Sequence, residues 1–139
     1  MAPEILRFPE GTRTAEQAAA AVGCELGQIV KSLVFLCDGE PVLALTSGAN
    51  RVDTDRLGAL LVGAISRADA DAVREATGYA IGGTPPFGHA RQLRAVVDRA
   101  LLGYAAVWAA AGTPDTVFEL TPEQLVQASG AEVGDFAAD

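Results

Sequence analysis

Three observations in the sequence predict a mixed α+β fold. Runs rich in branched and aromatic residues, at 29–36 and again at Thr116–Leu120, have the composition of strands. Helix-start signals stand at Thr14 and Thr121, each followed three residues later by a glutamine that completes a capping box. Strands and helices then succeed one another irregularly, without the even alternation that a doubly wound parallel sheet requires. At 139 residues, half of them apolar, the chain suits one domain spanning 1–139.

Taken in order, residues 5–8 are a short apolar segment of edge-strand character, and Pro9 with Gly11 makes a turn. Thr14 caps a helix over Ala15–Val22, which Gly23 ends. The strand at 29–36 leads to Asp38-Gly39, a hairpin signal lengthened by Glu40 and Pro41, and residues 42–46 return. Residues 47–50 (SGAN) form a loop, and Asp53 caps a helix running to about Leu61 with Gly63 closing it. Ser66 opens a further helix over 66–77 that Gly78 stops; Ala64-Ile65 is too short to classify.

The segment 78–89 (GYAIGGTPPFGH) holds four glycines and two prolines in twelve residues and cannot be a regular element. Its Tyr79, Ile81 and Phe87 should anchor it to the core, so it reads as a constrained, partly buried loop shaping a pocket wall. Residues 93–98 permit a strand and 99–103 a short turn or helical piece. Residues 104–110 are ambiguous, alanines favouring helix while Val107 and Trp108 permit strand. Gly112, Pro114 and Asp115 turn the chain before Thr116–Leu120, and Thr121 with Pro122 starts a last helix ending near Ser129-Gly130, followed by an acidic tail.

The formal net charge of −8 argues against broad, sequence-independent nucleic-acid binding, although Arg51, Arg56, Arg91, Arg94 and Arg99 could still gather on one face. Two cysteines, Cys24 and Cys37, and one histidine make a poor zinc site, so no metal is expected. No apolar run is long enough to span a bilayer. The first residues lack the pattern of a secretory signal, and a cytoplasmic location is expected.

Among residues that could carry chemistry, Lys31 stands out as the only lysine, set in a strand-like apolar run. It reads either as a snorkelling side chain or as a pocket ammonium that holds a phosphate or a carbonyl oxygen. The glycine-proline loop lacks Walker and GxGxxG patterns; its amides form either an anion-holding nest or a structural turn. His89, the only imidazole, has no GxSxG partner and suits a hydrogen-bonded loop position. Asp98 either caps the turn that follows or ends a strand beside the pocket. Thr46, Ser47 and Asn50 could add polar contacts from the end of the hairpin.

Three ordered blocks, 27–33 (GQIVKSL), 45–53 (LTSGANRVD) and 77–89 (TGYAIGGTPPFGH), followed by Val97-Asp98 and 120–125 (LTPEQL), resemble the YbaK/prolyl-tRNA-synthetase-associated editing family over nearly the whole chain. The resemblance implies a mixed, barrel-like β sheet flanked by helices, with strands at 93–98 and 105–110. It implies an aminoacyl-tRNA deacylase that hydrolyses the ester of a small mischarged amino acid, most often on a proline tRNA, without a cofactor. Carried over, Lys31 is the catalytic lysine, and Gly82 and Gly83, with Gly88, offer amides to the oxyanion. Thr46, Ser47, Asn50, Thr84, Pro85, Pro86, Phe87, Gly88, His89 and Asp98 then surround the substrate. The partners implied are the 3′ end of an aminoacyl-tRNA and an aminoacyl-tRNA synthetase. A non-catalytic member of the same fold that recognises aminoacyl-tRNA, a nucleotide or a synthetase is the alternative.

Overall fold

The hairpin of β2 (Ile29–Cys37) and β3 (Glu40–Ser47) is the spine of the sheet in the computed structural model, which describes residues 5–8, 14–79, 84–89, 93–113 and 115–138. Its turn is a tight two-residue one, with Asp38 at φ 50° and Gly39 at φ 82°, the paired positive φ that matches the twist of antiparallel strands. Glu40 and Pro41 therefore belong to the return strand rather than to a lengthened turn. The sheet continues from β3 through β5 (Arg94–Asp98) to β8 (Glu132–Gly134), both parallel steps. In the other direction β2 pairs in parallel with β6 (Val107–Ala110), which leads antiparallel to β7 (Thr116–Leu120) and then β1 (Ile5–Arg7). A short strand, β4 (Ile65–Arg67), pairs with the far end of β2.

Helices α1 (Ala15–Val22), α2 (Thr54–Leu61), α3 (Ala70–Thr77) and α4 (Pro122–Ser129) flank this central sheet, giving the mixed α+β architecture expected. Alternation along the hairpin divides the core. Val30, Val34, Leu43 and Leu45 point to one face with Val73, Val97, Leu101, Phe118 and Leu125, while Val42 and Ala44 meet Leu57, Leu61, Val96 and Phe136 on the other. A third cluster joins Ala18 and Ala19 of α1 to Ile29 and Val117. Each fully buried leucine or phenylalanine contributes roughly 1.5–3 kcal/mol. Both expected capping boxes form, at Thr14/Gln17 and Thr121/Gln124.

Two further expectations are corrected. The third helix starts at Ala70 under an Asp69 cap, not at Ser66, because Ile65–Arg67 is drawn into the sheet against Phe35, Leu36 and Cys37. The second helix is closed by Val62 at φ 59°, not by Gly63. Gly63 is needed instead for close approach, since a Cβ there would press on Cys37 Sγ and stand 2.8 Å from Asp38 Oδ2. Residues 107–110, ambiguous by composition, are strand as the resemblance implies, held between β2 and β7. The acidic tail is structured: after β8, Phe136 is fully buried and Ala137 bridges to Val52. Among the described residues no helix is long and apolar enough to cross a membrane.

Candidate functional site

Lys31 lies where β2 loses a neighbour. One edge of the strand is paired with β3 from Val30 to Cys37. The other edge is taken by β6 only at Ile29 and Val30 and by β4 only from Phe35, so no described strand pairs with it from Lys31 to Val34. A cavity of about 340 Å³ opens at this gap. Lys31, Ser32 and Leu33 form one wall; Thr14, Ala15, Glu16 and Ala18 of the α1 region face them; Trp108, Ala109 and Ala110 of β6, with Gly48 and Thr84, close the rest. Gly48 has to be glycine here, because a Cβ would come 2.5 Å from the Leu26 carbonyl oxygen and 3.1 Å from Ala15 Cβ.

The lysine is half-buried, and its Nζ donates a 2.6 Å hydrogen bond to the Asn50 carbonyl oxygen. Burial pulls its amine below the ordinary lysine range; the negative field of Glu16 opposes this, Arg51 adds to it, and Asp98 opposes it. An ammonium of this kind is compact, partly desolvated and held by a single carbonyl, so it can hold a phosphate or polarise a carbonyl oxygen entering the cavity.

Asp98 fixes the segment that holds Lys31. Only 3% exposed, its carboxylate accepts from the Ser47 amide at 3.1 Å and from Asn50 Nδ2 at 2.9 Å through Oδ2, and from the Ala100 amide at 3.0 Å through Oδ1. Both sequence readings of Asp98 therefore meet in one side chain: it ends β5 and caps the 3-10 turn at Arg99–Gly103. Ser47 Oγ donates to the Gly27 carbonyl at 2.7 Å. Thr46 is fully buried opposite Lys31 in the register and does not line the cavity. Thus Thr46, Ser47, Asn50 and Asp98 are brought together beneath the lysine, three of them as a scaffold bonded within itself.

The glycine-proline loop divides. Gly82 and Gly83 lie outside the described residues. Thr84 is buried and faces the Lys31 cavity. Pro86, Phe87, Gly88 and His89 line a second depression of about 290 Å³ with Leu43, Leu93 and Ala95. His89 Nε2 donates to the Pro85 carbonyl at 2.6 Å, as a loop-bracing histidine would, and the Phe87 ring packs edge-on against Phe118 with centroids 5.8 Å apart. Cys24 and Cys37 are free thiols.

Sequence reasoning missed Glu16, Ser32 and Trp108 as cavity residues. A capping box at Thr14 announces the first turn of α1, but nothing local says that this turn faces β2. Ser32 Oγ is the one buried side-chain oxygen or nitrogen among the described residues with no hydrogen-bond partner. Ser32→Ala should consequently raise stability in denaturant melts by about 1 kcal/mol, since it removes a desolvated, unpaired hydroxyl. A fall in stability would show that the hydroxyl is bonded in solution.

Comparison with known proteins matches this arrangement. The model of the aminoacyl-tRNA editing domain family fits residues 9–128. The Bacillus subtilis (strain 168) protein YwhH, itself uncharacterized, is 31% identical over 131 residues, covering 94% of this chain and 83% of its own. The proline–tRNA ligase of Geobacter sp. (strain M21) is 34% identical over 107 residues, which are 76% of this chain but only 19% of the ligase. A crystal structure described as a candidate trans-editing enzyme for prolyl tRNA synthetase superimposes with a TM-score of 0.94 at 47% identity, covering 99% of this chain and 87% of the other. The split strand with its single lysine, the braced loop and the match over most of the chain lead to one assignment: this chain belongs to the aminoacyl-tRNA editing domain family.

Proposed function

We propose that this chain is a deacylase that hydrolyses the ester between a small mischarged amino acid and the 3′-terminal adenosine of a tRNA, with proline tRNA the first acceptor to test. The observation that carries the reading is the Lys31 amine on the wall of a cavity of about 340 Å³ whose other surfaces are largely alanine, glycine and branched aliphatic. Such a cavity admits a short side chain and an ester, while the amine meets the ribose-phosphate end or the ester carbonyl. Membership of the editing family supports the activity, and the proline relatives suggest the acceptor.

The chemistry follows from what the cavity holds. Its hydroxyls are those of Thr14, Ser32 and Thr84, and the only histidine of the chain, His89, lines the other depression. No histidine stands beside these hydroxyls and the one lining carboxylate, Glu16, is solvent-exposed, so attack by water, or by a hydroxyl of the substrate itself, fits the site better than a protein nucleophile. Lys31 would orient the ester and stabilise charge developing on its oxygen, and the amides of Gly82 and Gly83 remain part of this proposal as further donors. A cytoplasmic setting, where tRNA is charged, belongs to the same reading.

A deacylation panel tests it: proline, alanine and cysteine tRNAs carrying alanine, serine, cysteine, threonine or proline, each followed for release of the amino acid. Accelerated release from at least one mischarged species is the expected result. Binding of charged tRNA with no acceleration for any member would favour the non-catalytic alternative.

A further inference from the structure

Glu16 is the feature of the cavity that the editing reading leaves unused. Among the described residues it is the only carboxylate lining it, set on the first turn of α1, which packs against β2. Its side chain forms no hydrogen bond or ion pair with any described residue, although three other acidic side chains, Asp53, Asp115 and Asp135, are engaged by arginines. Its charge reaches Lys31 through space without closing on it. Among the described residues the cavity thus presents one cation and one solvent-exposed carboxylate, beside the hydroxyls of Thr14, Ser32 and Thr84.

An aminoacyl ester of a tRNA carries that same pair of charges at its reacting end. The α-ammonium lies on one side of the ester, and the nearest phosphodiester lies on the other, beyond the ribose. An α-ammonium that leaves water for such a cavity needs an acceptor, and a carboxylate is the strongest that a protein supplies. We infer that the Glu16 carboxylate is the recognition site for the substrate's free α-ammonium, fixing which way the ester lies between α1 and Lys31. This inference rests on the deacylase reading for its substrate and deepens it: the protein takes esters with a free α-amino group and turns away N-acylated ones, such as peptidyl or formylated species. Discrimination of that kind would come from leaving the carboxylate unpaired when the amine is blocked, in addition to any steric conflict.

The test separates binding from chemistry. The probes are alanine joined by a non-hydrolysable amide to 3′-amino-3′-deoxyadenosine, with its amine free or acetylated, titrated into wild type and Glu16→Gln by calorimetry. Wild type should bind the free-amine probe about tenfold more tightly than the acetylated one. In Glu16→Gln the free-amine probe should weaken by about the same factor, while the acetylated probe is unchanged, so that the ratio falls towards one. An unchanged ratio, or equal weakening of both probes, overturns the inference, the latter because it would mark Glu16 as a structural or general electrostatic residue. Thermal melts of both proteins control for folding. The same two proteins are then assayed with alanyl-tRNA and N-acetylalanyl-tRNA. A collapsed binding ratio without hydrolysis by wild type would keep the ammonium site and remove the deacylase reading; hydrolysis with an unchanged binding ratio would do the reverse.

Discussion

Lys31→Met should lower kcat/KM for the best mischarged tRNA of the panel by about a hundredfold or more while leaving the fold intact. The magnitude is that of removing one preorganised donor or cation from a partly desolvated reaction site. On the stability side, methionine loses the hydrogen bond from Nζ to the Asn50 carbonyl but also removes a half-buried charge, so the two effects oppose. The expected net change is within about 1 kcal/mol. A pH signature accompanies this. The folded lysine loses its proton at lower pH than the unfolded one, so over the interval between those two values the unfolded chain binds more protons and stability rises with pH. Activity that needs the ammonium should fall in that same alkaline interval, and Lys31→Met should show neither trend. Full activity in the methionine variant, measured on folded protein, would sink the role given to the amine.

Asp98→Ala should have the larger effect on stability, a loss of about 3–4 kcal/mol in denaturant unfolding. Three donors converge on this one carboxylate, and Ser47, which supplies one of them, is buried, only 2% exposed. Against a typical total of roughly 5–15 kcal/mol, such a loss threatens folding itself. Asp98→Asn is the gentler probe. Its amide can accept on one side only, so at least one donor faces an NH₂ group, and a cost of about 1–3 kcal/mol is expected. An asparagine oxygen on the Oδ2 side keeps Ser47 and Asn50 and loses only the Ala100 amide. The flipped amide frees Asn50, which supplies the carbonyl that positions Lys31, so the variant should also lose part of its activity at temperatures where it is fully folded. Wild-type stability together with wild-type turnover in Asp98→Asn would show that the carboxylate holds neither the loop nor the lysine.

Local chemistry explains which parts of this molecule are legible in its sequence. The capping boxes at Thr14 and Thr121 and the Asp38-Gly39 turn are decided by residues within three or four positions of one another, and all three form. What fails is decided at a distance. Ser66 has the chemistry of a helix cap, but Ile65–Arg67 meets the end of β2 and the cap passes to Asp69. The alanines at 109–110 favour helix until two strands enclose them. Phe136 looks like part of an acidic tail until its burial beside Leu57 and Val96 is seen. Within the site, Lys31 is conspicuous by its uniqueness, and the ordered motifs around it carried the resemblance. Glu16 and Ser32 carry no such mark, because their significance arises only when α1 packs across β2.

The interrupted pairing of β2 bears on how a sheet can carry a bare stretch of strand without inviting a foreign one. A bare strand edge ordinarily invites a stranger's strand, the first step towards intermolecular sheets. Here the unpaired stretch, from Lys31 to Val34, is bracketed along the same edge by β6 and β4 and carries a charge at one end. A foreign strand would find room for only a few ladder bonds before colliding with a resident one. The chain can thereby keep main-chain polar groups available to a small ligand in the middle of its sheet without advertising an edge to its neighbours.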